Sequence, residues 1–134
     1  VNIINNSKLQ APNSKSQTIS NVQIANSKHY DLEERTFEFA KRVIEFTKKL
    51  PKTMANIEIA SGSVGANYIE ANEALSKKDF ALRIKICRKE SKESRYWLKL
   101  VEIKDNNDET ERELLIKEAS EFIKIFSKIL EKTK

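Results

Sequence analysis

The stretch Ser76–Lys104, SKKDFALRIKICRKESKESRYWLKLVEIK, limits the fold more than any other part of the chain. It contains neither Gly nor Pro, and it carries two apolar seams with one spacing. The first is Phe80, Ile84, Cys87, Ser91, Ser94, Leu98 and Val101, at intervals of 4-3-4-3-4-3. The second is Leu82, Ile86, Lys89, Glu93, Tyr96, Leu100 and Ile103, with the same intervals and a polar middle. A 4-3 repeat puts its members on one side of an α-helix. A surface helix that packs only on its own domain needs one such stripe. Two stripes imply two things to pack against, the helix's own bundle and something outside it. Between the seams runs a basic strip of Lys78, Lys85, Lys92 and Lys99, flanked by Arg88 and Arg95.

The remaining chain reads as helices too. At 134 residues it is one domain with room for a core. Two Gly and two Pro leave too little turn punctuation for strands joined by hairpins. Residues 1–29 form a polar, Asn-, Ser- and Lys-rich tail whose apolar residues keep no period, and the tail is expected to be disordered. Residues 30–134 hold the bundle. A first helix is expected over Asp31–Leu50, with Asp31 as N-cap and Glu34 at capping-box spacing. Its main apolar face is Thr36, Phe37, Ala40, Val43, Ile44, Thr47 and Leu50. Leu32, Phe39 and Phe46 widen that face beyond what one buried side needs, which offers Phe39 and Phe46 to a subunit contact. Pro51 ends the helix or starts a new segment.

A second helix is expected from about Thr53 to Ser76, with a seam of Val64, Tyr68, Ala71 and Leu75. Both glycines lie in its middle, in Ser61-Gly62-Ser63-Val64-Gly65. Such a pair is read as a close helix approach or a helix break, in preference to a GxxG clamp on nucleic acid. After the third helix, residues 105–108, DNND, are expected as a loop. A fourth helix follows over Glu109–Glu131, with a seam of Leu115, Ala119, Phe122, Phe126 and Ile129. Four helices with heptad seams and short links make an all-α, antiparallel, up-down-up-down bundle.

Two long strings, SVGANYIEANEALSKKDF and RIKICRKESKESRYWLKL, resemble the four helix bundle proteins encoded in intervening sequences of bacterial 23S ribosomal RNA. YDLEERTFEFAKRVIEF resembles the first helix of that family, so the likeness runs over roughly residues 30–132. The resemblance implies a bundle that assembles into a homopentameric barrel. It also implies kinship with the accessory variability protein of diversity-generating retroelements, a basic pentamer that binds RNA and a reverse transcriptase. It carries no catalytic residues. Members of the family that the chain resembles usually carry an extra helical piece between NIEIA and SGSVGANY, of about two turns. Here Ala60 runs straight into Ser61, so a normal helical link at that point would mean a shortened second helix.

Charge and chemistry narrow the function. The net charge is +5, but residues 77–104 alone hold ten bases against four acids. The strip lysines recur about every 10.5 Å along the helix. With Arg88 and Arg95 they could follow phosphates, which suits RNA or DNA as a partner. Pairing with acids such as Glu93 and Glu102 is the competing reading. Leu82, Ile86, Tyr96, Leu100 and Ile103, with Phe39 and Phe46, are the expected oligomer interface. A protein-docking scaffold for a nucleic-acid enzyme is the alternative function.

Enzyme chemistry has no visible constellation. Glu90, Glu93 and Glu102 lack a nucleophile or metal ligand beside them, and salt bridges to Arg83, Arg88 or Lys89 are the simpler role. His29 is the sole histidine, so no metal site or cofactor is expected. Cys87 reads as a buried apolar residue, and one cysteine fits a reducing cytoplasm. No apolar run reaches membrane-spanning length.

Overall fold

The computed structural model describes residues 31–50 and 54–134. The tail, His29, Pro51 and the Thr53 cap lie outside these described residues. Four helices follow in order: α1 (Leu32–Thr47), α2 (Ala55–Asn72), α3 (Lys77–Leu100) and α4 (Asn106–Lys132). Each packs on the next, and α4 returns to α1. Neighbours run in opposite directions. Arg88 and Arg95 of α3 reach Ser127 and Ser120 of α4, so the two helices step seven residues together in opposite senses.

The core follows the seams. Phe80, Ile84, Cys87, Ser91, Ser94 and Leu98 of α3 are all buried, and so is Val101, the extended residue that follows the helix. Ser91 and Ser94 would cost free energy there if unpaired. Each donates instead to a carbonyl four residues back, Cys87 and Glu90, at 2.8 Å. That satisfies the hydroxyls within one helix and leaves their small volume for close packing. Phe39 of α1 meets Phe122 of α4 edge to face at 5.3 Å. Truncating either ring would cost about 3–5 kcal/mol.

Several expectations need correction. On α1 the buried set is Leu32, Thr36, Phe39, Val43, Phe46 and Thr47, while Phe37 and Ile44 face outward. The apolar arc of α1 is wider than one buried side, and the neighbours choose which part is covered. Phe39 and Phe46 are therefore core residues and are not available to a subunit contact. Asp31 precedes α1, but its side chain makes no capping bond. Leu75 ends up 95% exposed, because α2 stops at Asn72 and the seam stops with it. DNND is not a loop. Asp105 is the N-cap of α4, its carboxylate accepting from Asn107 N at 2.7 Å. In the last turns of α4, Leu130 is buried and Ile129 half-buried.

The glycines do not break α2, which is continuous from Ala55 to Asn72. Ala60 and Ser61 are consecutive residues of that helix and both buried. A GxxG loop is thereby excluded, since the segment is helical. Gly65 explains itself: a Cβ there would stand 3.0 Å from Thr36 Oγ1 and 3.3 Å from Thr36 Cβ. Its bare backbone lets α1 and α2 close up. Gly62 has nothing within 4 Å of its Cβ position.

Candidate nucleic-acid interface

A firm cap sets the start of α3. Ser76 Oγ accepts from Asp79 N at 3.0 Å, satisfying one free N–H of the first turn. With the core seam fixing the rotation of the helix, the outer positions are fixed too. Lys78, Lys85, Lys92 and Lys99 are all exposed. Arg88 and Arg95 are half-buried and turned toward α4. Arg88 Nη1 donates to Ser127 Oγ at 3.3 Å, and Arg95 Nη1 to Ser120 Oγ at 3.1 Å. A serine hydroxyl orients a guanidinium without neutralising it, so each arginine keeps its charge and its remaining donors.

The acids do not cancel the strip. Among the described residues, none of these six cations lies within ion-pair distance of a carboxylate. Glu90 pairs instead with Lys89, at 3.7 Å. Burial pushes the Glu90 carboxyl above its usual range, with Glu93 adding repulsion and Lys89 opposing both. The ion pairs that organise the fold lie elsewhere. Arg35 grips Glu118 through two bonds of 2.8 and 3.0 Å and stacks over Phe122. Arg42 meets Glu111 at 3.8 Å and Lys49 meets Asp108 at 3.9 Å, so acids of α4 are spent on α1.

An open groove of about 450 Å³ runs between α3 and α4 at one end of the strip. Lys85, Arg88, Ser127 and Lys128 line it, together with Lys134, which pairs with Glu131 at 3.2 Å. The Glu131 carboxylate lines it too and is engaged by Lys134, which leaves Lys85, Arg88 and Lys128 to meet an anion. The described residues contain no group of three or more His, Cys, Asp or Glu placed to hold a metal. Cys87 is buried, its thiol pushed up to about 12 by burial, and it donates to Val64 O at 3.4 Å. A thiol so placed is no nucleophile.

The second seam of α3 splits. Leu82, Tyr96 and Leu100 are more than half exposed. Ile86 is half-buried, and Ile103 lies beyond the helix and packs on the core. Tyr96 sets its ring edge to face against Trp97, at 5.1 Å, and Trp97 packs on the core. The sequence reading did not single out the outer face of α2. Ala55, Ile59, Gly62, Ala66 and Ile69 are all exposed there. Their 4-3-4-3 spacing was a usable signal, hidden by the inner seam of the same helix. No described helix is long and apolar enough to cross a membrane.

Comparison with known proteins agrees with this architecture. Residues 28–128 match the 23S rRNA-intervening sequence protein family. A crystal structure of a protein with unknown function from the S23 ribosomal protein family of Bacteroides thetaiotaomicron VPI-5482 is similar, with TM-score 0.64 and 28% identity. The likeness covers 73% of this chain and 96% of that one. No curated protein matches the chain.

Proposed function

The chain belongs to the 23S rRNA-intervening sequence protein family, and from that premise we propose that it is a self-assembling bundle that binds nucleic acid, foremost RNA, along α3. The observation that carries the proposal is the strip of six cations without a carboxylate partner among the described residues. Unpaired cations at regular spacing attract a polyanion and release its counterions on binding. The two serine-propped arginines add donors suited to phosphate oxygens. The family's description names a ribosomal RNA sequence and assigns no ligand. Self-assembly is supported by Leu82, Tyr96 and Leu100, large apolar side chains left in water by the single subunit. Five subunits in a ring is the number that the family resemblance implies, and in a ring the strips' fields add. The protein carries out no reaction of its own in this reading.

The test is binding to a fluorescent RNA as salt is raised. Log affinity should fall linearly with log salt, with a slope of about −0.7 per phosphate neutralised on a single strand. Lys85→Glu, Arg88→Glu, Lys92→Glu and Arg95→Glu together should abolish the signal while helicity and mass are kept. Absence of binding by the unaltered protein at low salt refutes the proposal. Capture of a protein partner that survives nuclease and high salt would point to the docking scaffold instead.

A further inference from the structure

Gly62 has no reason to be glycine within the subunit. It sits mid-helix, where glycine is unfavourable relative to alanine. It is exposed, and a Cβ there would touch nothing. It lies between Ile59 and Ile69, which are 66% and 51% exposed. The apolar surface continues onto α1. Glu33, Phe37 and Ile44 share one side of α1, and Glu33 accepts from Asn72 Nδ2 of α2, so that side adjoins α2. Phe37 and Ile44 are both exposed on it. The result is an apolar face with a depression at Gly62.

The same chain carries a counterpart. The outer side of α3 is a ridge with large apolar side chains at its two ends, Leu82 at one and Tyr96 and Leu100 at the other, and with half-buried Ile86 and the charged Lys89 and Glu93 between them. Both stripes keep the 4-3 repeat; at about 1.5 Å per residue the α2 stripe from Ala55 to Ile69 spans about 21 Å and lies within the roughly 27 Å from Leu82 to Leu100. Stripes of that repeat pack at a shallow crossing angle, and a glycine lets the axes approach. The charges also match. Residues 54–76, α2 with its flanks, hold three acids and no base, whereas residues 77–104 hold ten bases and four acids. Like would meet like if α2 paired with α2, or α3 with α3.

We infer that the outer face of α2 is the seat for the outer ridge of α3 from a second copy of this chain. The contact is heterologous: every subunit offers one seat and one ridge, and repetition closes a ring or extends a filament. Arg88 and Arg95, turned toward α4, stay outside it. The inference rests on the self-assembly proposed above and specifies its geometry.

Two measurements test it. Ile59→Asp with Ile69→Asp removes the seat, and Leu82→Asp with Leu100→Asp removes the ridge. All four positions are exposed, so the subunit should keep its helicity. Each variant alone should fall from an assembly to the 15.5 kDa single chain in light scattering. The second measurement mixes Gly62→Cys with Glu93→Cys under a short bis-maleimide, Cys87 being buried and silent. Cross-linked dimers should form in the mixture and not in either variant alone. An assembling protein in which Gly62→Cys cross-links to itself, or in which either Asp variant still assembles, overturns this pairing and leaves self-assembly standing. An unaltered protein that scatters as a single chain overturns both.

Discussion

Replacing each glycine of α2 by alanine should have opposite effects, though the two sit three residues apart in one helix. The propensity gain is common to both, about 1 kcal/mol. Within the subunit nothing opposes it at Gly62, since the new methyl meets no atom of the chain within 4 Å, and only the second copy proposed above would stand in its way. At Gly65 the methyl would lie 3.0 Å from Thr36 Oγ1 and 3.3 Å from Thr36 Cβ. Thr36 cannot swing aside. Its hydroxyl donates to Leu32 O at 2.9 Å, and its Cβ is fixed to the backbone of α1. The whole of α1 must move by tenths of an ångström, and overpacking of this kind costs about 1–3 kcal/mol. The net effect at Gly65 is then a loss of about 1 kcal/mol, and the two variants differ by about 2 kcal/mol. For a domain near 100 residues, 1 kcal/mol shifts Tm by about 4–8 °C, upward for Gly62→Ala and downward for Gly65→Ala. Urea or thermal melts at several protein concentrations would measure this, because any contribution from assembly appears as concentration dependence. Adding Thr36→Ala should recover part of the loss at Gly65 and none at Gly62. Equal shifts for the two alanine variants would refute the argument from close approach.

The Arg35–Glu118 pair is bidentate and only about one-fifth exposed, so Arg35→Ala should cost about 1.5–3 kcal/mol in urea denaturation, with Glu118→Ala close behind. Exposed pairs such as Lys48–Glu45 should fall below 1 kcal/mol on the same assay. Glu90 should make the fold prefer acid. Its carboxyl titrates higher in the folded chain than in the unfolded one, mainly through burial and then through Glu93. The stabilising contribution is complete below the unfolded value and is lost as pH rises through the folded value. Glu90→Gln should therefore raise stability at neutral pH, flatten the profile across the weakly acid range, and change little below it. Urea midpoints from pH 4 to pH 7 would check the sign.

How much was legible differs from helix to helix. The six core positions of α3, and Val101 just past its end, could be read without error, because the chain there has one strong inner seam and a firm Ser76 cap. The basic strip then followed from helix period alone. On α1 the reading placed Thr36, Val43 and Thr47 inward correctly but put Phe37 and Ile44 there too and offered Phe39 and Phe46 to a subunit contact. Phe37 and Phe39 are two residues apart on opposite margins of a broad apolar arc, and periodicity cannot choose between them. DNND looked like a loop because its polar residues suit turns, and they suit the first turn of a capped helix equally well. The outer face of α2 carried the right spacing but was masked by an inner seam of similar residues.

The sequence by itself determined that there are four helices, that they form a bundle, and that positive charge gathers on the third. Helix period, caps and charge placement are local, so one strand of text contains them. Tertiary structure alone decided which aromatics of α1 are buried, which glycine is a contact and which is an open surface, and which cations are left unpaired. Those outcomes depend on what stands opposite each residue, as Thr36 does at Gly65 and Ser127 does at Arg88, and nothing in the spacing of one helix states the position of another.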